Sequence, residues 1–267
     1  GTIHRFSAKM VVLATGGFPH DSGRRAGLFP HAPTGKEHWS AAPETNTGDG
    51  LRLGESAGGH VGTDVEAAAG WAPVSLVPRR DGRFSHFPHL GLDRAKPGAI
   101  MVHSSGQRFC NEADSYHDVT KALFEATPPG ERPQAWLVCD HRFVRRWGVG
   151  RVRPAPFPLR PWLRNGYLKR GRTIGELAVA CAMDPTSLEE TVRRFNEHAR
   201  QGRDPDFRRG ETPFNRAYGD PEREPNPCLG PLDAAPFYAV RIVPGSLSTF
   251  AGLATDANAR VLDRRGR

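Results

Sequence analysis

Two groupings of residues in this chain are chemically suggestive. The first is backbone made accessible by glycine. Residues 10–18 read Met-Val-Val-Leu-Ala-Thr-Gly-Gly-Phe, which predicts a buried strand ending in a turn at Ala14-Thr15-Gly16-Gly17. Glycine has no Cβ and tolerates positive φ, so such a turn lets backbone come close to a ligand or to a neighbouring segment. Asn46-Thr47-Gly48-Asp49-Gly50 is a second loop of this kind. It leads into a helix whose first amides either favour an anion such as a pyrophosphate or form an ordinary capped start. With Gly54 the spacing is G-x-G-x-x-x-G, one residue away from the dinucleotide fingerprint. The second grouping is Arg108-Phe109-Cys110-Asn111-Glu112, with Tyr116 four residues on. Arg, Asn and Glu so close together can orient a neighbouring group through hydrogen bonds, or can form a surface ion pair. Glu112 and Tyr116 share a face if a helix has begun. A phenol can move a proton when its pKa is lowered, or can donate to a carbonyl. His86 and His89 have helical metal-ligand spacing, but Pro88 disfavours a helix and no carboxylate or cysteine cluster adjoins them, so no metal is expected.

These groups need elements to position them. Apolar patterning predicts strands at 3–6, 10–13, 71–77, 99–103, 136–139 and 237–243, with a strand pair at 252–262. Helices are predicted after the 46–50 loop, at 118–126, at 173–183 and at 187–200. The last of these places Leu188, Val192 and Phe195 on one face. Residues 151–161 are proline-rich and irregular. Residues 204–236, dense in Pro, Gly, Asp and Arg, read as a long surface excursion. Strands, then a helix-rich block beginning near 78, then strands again from 237, describe an α/β sheet domain carrying an insertion.

Composition narrows the classes. The 267 residues carry 37 Lys+Arg against 29 Asp+Glu, a net charge of +8. The cations come mostly in ones and twos without a long basic run, which disfavours nucleic acid as partner. The four cysteines are far apart and form no C-x-x-C pair, as expected for reduced thiols in a cytoplasmic protein. No apolar stretch reaches the ~20 residues of a membrane span.

Taken together the segments resemble one family. Val-Val-Leu-Ala-Thr-Gly-Gly-Phe, Asn-Thr-Gly-Asp-Gly-Leu-Arg-Leu-Gly, Gly-Gln-Arg-Phe-Cys-Asn-Glu and Pro236-Phe237-Tyr238-Ala239 are similar, in that order, to the FAD-dependent fumarate reductase/succinate dehydrogenase flavoprotein superfamily. Asn111-Glu112 followed by Tyr116, and Val243-Pro244-Gly245-Ser246-Leu247-Ser248-Thr249, resemble its 3-ketosteroid 1-dehydrogenase-like branch. Ser115 stands where the fumarate reductase branch has an arginine, which speaks against dicarboxylate reduction. The resemblance implies a Rossmann-like FAD-binding domain, present in part at 1–77 and 237–267, with an α+β capping domain inserted at 78–236. It implies that Ala14, Thr15, Gly16, Gly17, Asn46, Thr47, Gly48 and Asp49 contact FAD. Tyr116 would be the cap tyrosine that assists proton removal beside a ketone, with Arg108, Asn111 and Glu112 in support. Ser248, Thr249 and Gly252 would lie toward a small substrate, a ketone or a carboxylate, with the electron acceptor left open. The family's N-terminal G-x-G-x-x-G unit and its C-terminal FAD segment have no counterpart in these residues. The expectation is therefore an internal piece of such an enzyme, unable to hold FAD tightly alone. The alternatives are a fumarate-reductase-like enzyme and an inactive fragment that keeps the cap as a binding module.

Overall fold

The structure is a computed structural model and describes residues 4–267. Its centre is one six-stranded antiparallel sheet. The strands of the chain are β1 (Val61–Gly62), β2 (Ala69–Pro78), β3 (Phe84–Pro88), β4 (Ala99–His103), β5 (Ala135–Cys139), β6 (Leu168–Gly171), β7 (Phe237–Thr249) and β8 (Gly252–Leu253). The order is β3-β2-β7-β5-β4, and β6 also pairs with β7. The 13-residue β7 organises it: residues 243–249 pair with β2, residues 238–242 with β5, and residues 237–240 with β6. The sheet therefore runs unbroken through residues on both sides of 78 and 236.

Two-residue alternation divides the sheet's side chains between two cores. Met101, Leu137, Tyr238 and Val240 point to one, with Val119, Leu123, Phe143 and Val144. Ile100, Val102, Val138 and Ala239 point to the other, with Leu177, Leu188, Val192 and Phe195. Burial on both faces explains why β4 and β5 read as unbroken apolar runs. The helices are α1 (Ser22–Leu28), α2 (Asp49–Ser56), α3 (Tyr116–Ala126), α4 (His141–Arg146), α5 (Arg160–Arg164), α6 (Ile174–Ala180), α7 (Pro185–Arg200) and α8 (Pro213–Tyr218). α7 starts on Asp184, whose side chain accepts from the Ser187 amide at 2.7 Å, and has Pro185 in its first turn, where no N–H is needed.

Three expectations are corrected. Residues 10–13 form no strand. Met10, Val11 and Val12 are 79–88% exposed, because no described segment lies alongside to take their backbone hydrogen bonds. The same holds for residues 4–6, whereas Ile3 falls outside the described residues. Residues 204–236 are not a surface excursion. Asp204, Arg209, Asn215, Asp220, Cys228, Leu229 and Leu232 are all buried, with Asp204 bonded to Arg108, Asn215 to Asn111 and Arg209 to the Ala99 carbonyl of β4. The strand pair expected at 252–262 does not form: only the two-residue β8, paired with β1, and an isolated Thr255–Val261 bridge occur there, whereas the other predicted elements form, with shifted ends.

Candidate cofactor and substrate site

The glycine turn, the 46–50 loop and the end of β7 meet at one place. The Gly48 amide donates to the Gly17 carbonyl at 3.2 Å, and the His20 amide to that of Asn46 at 3.1 Å. Gly16 has φ +76°, and a Cβ there would lie 2.9 Å from the Asn46 side chain. A Cβ on Gly17 would meet Thr249 Oγ1 at 1.9 Å, and the neighbouring Phe18 amide reaches that oxygen at 3.4 Å. Thr15 occupies the space a Cβ on Gly50 would need. The glycines thus let three segments, separated in sequence, come together. Ala14, Thr15 and Gly16 stay exposed, and Gly17, Asn46 and Thr47 half-buried. Among the described residues, the amides of Thr15, Gly16 and Gly17 donate to no protein acceptor. Gly48, at φ +82°, caps α2 without placing a side chain over its end, while Asp49 in the first turn is held by Arg52. Open amides and an unobstructed helix start fit the phosphates of a dinucleotide.

Gly16 also gives a direct test. An alanine there must adopt a left-handed conformation, at a cost of roughly 1–2 kcal/mol, and displace Asn46. Gly16→Ala in the full-length protein is expected to weaken FAD binding about tenfold, measured by quenching of flavin fluorescence on titration. Unchanged affinity would assign the turn to packing alone.

The second grouping does not form a surface ion pair. Arg108 grips Glu112 at 2.8 Å through both Nε and Nη2, and Asp204 at 2.8 and 2.9 Å. Arg209, fully buried, donates to Glu112 at 3.0 Å and to the carbonyls of Ala99, Arg94 and Lys96. The Met101 amide also donates to Glu112, at 3.0 Å. Burial alone raises the Glu112 pKa, but Arg108 and Arg209 outweigh it and hold the carboxyl at about 2. Phe195 and Phe207 each lie 4.9 Å from the Arg108 guanidinium. Glu112 and Arg108 therefore brace the protein interior and do not face a substrate.

That brace holds the segment leading into Tyr116. The fully buried Arg94 donates to the carbonyls of His89, Glu112 and Asp114. Asn111 donates to Asn215 at 2.9 Å, and Asn215 to Asp114 at 2.8 Å. Ser115 caps α3 by accepting from the Asp118 amide. Tyr116, the first residue of α3, is half-buried, and among the described residues its hydroxyl has no hydrogen-bond partner. The adjacent His117 ties α3 to the sheet: its Nδ1 accepts from the Trp71 amide at 3.2 Å, and its ring lies 6.0 Å from Phe250. Phe250 stands between Thr249 and Gly252. Tyr116 is thus near the same end of β7 as exposed Ser248 and half-buried Thr249 and Gly252.

Sequence reading missed His117, Trp71, Arg94, Asp204, Arg209 and Asn215. None belongs to a local pattern. The rings of His86 and His89 have protein partners: Ser40 O at 2.6 Å for His86, and Asp93 and Ser75 at 2.7 and 2.8 Å for His89. A cavity of about 550 Å³ beside α3, walled by Trp71, His31, Phe124 and Ala251, includes neither Tyr116 nor Thr249, and we do not assign the reaction to it.

His31 Nε2 and His38 Nδ1 are 3.0 Å apart in that aromatic wall, and His38 Nε2 is 2.8 Å from Ser246 Oγ. Burial pushes His31 down to about 4 and His38 well below its usual range. Both are neutral in the fold, whereas the unfolded chain protonates them near 6.5. Stability is therefore greatest above pH 6.5 and falls as pH drops toward 4. Linkage gives about 2 kcal/mol lost at pH 5 from His31 alone. A melting temperature that falls between pH 7.5 and pH 5, and falls less in His31→Phe, is the expected result.

This mixed helix-and-sheet body is that of a flavoprotein. The chain belongs to the family described as FAD binding domain, which it matches over residues 1–267. It is 39% identical over 266 residues to 4-oxocyclohex-2-ene-1-carboxylate 5-dehydrogenase of Sinomonas cyclohexanicum, covering 98% of this chain and 44% of that protein. It is 37% identical over 259 residues to 3-oxosteroid 1-dehydrogenase of Mycobacterium tuberculosis, covering 94% and 44%. A crystal structure of 3-ketosteroid delta1-dehydrogenase from Sterolibacterium denitrificans superposes with a TM-score of 0.85 at 35% identity, over 95% of this chain and 44% of that one. A flavocytochrome c3 fumarate reductase shares the fold, with a TM-score of 0.61 at 24% identity over 95% of this chain and 38% of that one. The chain thus spans about 44% of the length of the dehydrogenases it matches. No described helix is long and apolar enough to cross a membrane.

Proposed function

We propose that this chain supplies the cap and part of the FAD domain of a cytoplasmic dehydrogenase that removes two hydrogens beside a ring ketone. The observation that carries this reading is Tyr116: a half-buried phenol without a partner among the described residues, held beside the end of β7 by a buried network. In the proposed division, residues 1–77 and 237–267 belong to the FAD domain and 78–236 to the cap, with β2 and β7 as the strands that join them. The names of the two dehydrogenase relatives share a cyclic ketone, which supports that substrate class. Four buried free cysteines are consistent with a reducing compartment.

Residues 14–17 and 46–49 would hold FAD, which when bound supplies the acceptor for the departing hydride. Tyr116 would assist removal of the proton from carbon next to the ketone, its phenol oxygen accepting that proton after releasing its own to solvent. Negative charge then develops on the ketone oxygen, where donors aimed at it lower the barrier. Ser248 and Thr249 would bound the substrate. Arg108, Asn111 and Glu112 act through Tyr116 as positioning residues.

The test is turnover of a cyclic 3-ketone with an artificial electron acceptor by the full-length FAD-loaded protein, set against fumarate with a reduced viologen dye. Ketone-dependent dye reduction is expected. Fumarate reduction alone would replace this reading with the reductase one, which is disfavoured because Ser115 stands where that branch has an arginine. Neither activity would leave a binding module.

A further inference from the structure

The positive charge of this chain has an address. Residues 141–175 contain ten Arg or Lys and no Asp or Glu, leaving 27 cations against 29 carboxylates in the rest. Arg142, Arg146 and Arg172 find carboxylates elsewhere in the fold. Among the described residues the other seven pair with none, and five of them, Arg151, Arg153, Arg160, Arg164 and Arg170, are exposed.

The centre of this region has an unusual composition: every residue from 151 to 164 is Arg, Pro or apolar. Its tip is ordered. The Ala155 amide donates to the Arg145 carbonyl at 2.8 Å, and the Phe157 amide to that of Pro154 at 3.1 Å. Arg145 in turn donates to the Phe157 carbonyl at 2.9 Å. Pro154, Pro156 and Pro158 have no N–H. Residues 154–158 therefore present no unsatisfied backbone donor. Phe157 nonetheless projects with 46% of its surface exposed, and the Arg153 guanidinium lies 5.1 Å from its ring.

We infer that residues 151–164 form a docking surface for an anionic lipid bilayer. Backbone donors that are already satisfied remove the main cost of entering the interfacial zone. An exposed aromatic ring beside an unpaired arginine, on a segment with three further exposed arginines, is what a headgroup layer of negative charge receives. An acidic protein or a nucleic acid is a poorer fit, because the segment has no Ser, Thr, Asn or Gln side chain with which to read a polar partner. The location also suits it. β6, carrying Arg170, pairs with residues 237–240 of β7, whereas Thr249 at the far end touches the glycine turn. Thirteen strand residues separate the two ends, about 40 Å at ~3.3 Å per residue. The surface therefore lies away from the loops that receive the rest of a flavoprotein.

The experiment is co-sedimentation of the full-length protein with phosphatidylcholine vesicles, with and without phosphatidylglycerol, at low and high salt. Binding only to the anionic vesicles is expected. Arg153→Glu/Arg160→Glu/Arg164→Glu is expected to weaken it at least about tenfold. Phe157→Ser is expected to abolish the residue of binding that survives high salt. Each variant is exposed-surface only, and its melting temperature is compared with that of the parent. No binding to anionic vesicles, or equal binding by the triple variant, overturns the inference. So does binding of polyglutamate or duplex DNA as tight as that of the vesicles and unaffected by Phe157→Ser, which assigns the surface to an acidic macromolecule. No turnover is read, so this result stands apart from the dehydrogenase reading.

Discussion

Tyr116→Phe in the full-length, FAD-loaded protein is expected to lower kcat for dehydrogenation of a cyclic ketone by roughly 10²- to 10⁴-fold, the usual worth of a positioned proton-transfer group. The change removes one hydroxyl that has no partner among the described residues, so stability should be nearly unaffected. FAD content should also be unchanged, because the loops proposed to hold FAD are built from other segments. KM should move little, since the ring and its packing remain. Stopped-flow reduction of the bound flavin by substrate measures the step directly. A variant that reduces its flavin at the parental rate would remove Tyr116 from the chemistry, and with it the main support for the ketone reading.

Glu112→Ala acts through the opposite property. It leaves Arg108 and Arg209, both deeply buried, without the carboxylate between them. Breaking a buried charge pair by deleting one partner typically costs 3–5 kcal/mol, because the remaining charge cannot be resolvated. Arg108 keeps Asp204 and Arg209 keeps three carbonyls, so a loss of about 3 kcal/mol is the expectation. Urea denaturation reads it. The pH dependence has a definite sign. The folded carboxyl sits at about 2 against an ordinary 4.5, so its contribution is complete above pH 4.5 and is lost as pH falls toward 2. The parent should therefore lose stability across that window more steeply than the variant. Equal acid profiles would mean that Glu112 is not held ionised by the two arginines.

The two predictions separate two roles that look alike in the linear chain. Arg108, Asn111, Glu112 and Tyr116 lie within nine residues, and as a motif they suggest one catalytic group. The fold divides them: three are turned into the interior, and the fourth is left at the edge with a hydroxyl that has no partner among the described residues. What turns them is remote. Asp204 lies 96 residues from Arg108, Arg209 lies 97 from Glu112, and Asn215 lies 104 from Asn111. Those partners sit in residues 204–236, whose Pro, Gly, Asp and Arg content indicates solvent. Composition misleads there because a buried ion network uses the same residue types as a surface. Only the closing of the network, with each charge meeting another, shows where they lie.

By itself the sequence determined what depends on neighbours in the chain. It placed the glycine turns, because positive φ is a property of single residues. It placed β4, β5 and α7, because their side-chain periodicity is local. It also placed Tyr116 four residues after an Asn-Glu pair. The tertiary structure decided what depends on separated segments meeting. It joined Gly17 to Thr249 and carried His117 to Trp71 and Phe250. It buried Glu112 between two arginines, and it left residues 10–13 in the open, where an apolar run reads as a buried strand. The physical reason is common to all four cases. Conformational preference is set within a few residues, whereas burial and the pairing of charges are set by whichever surfaces the folded chain brings into contact.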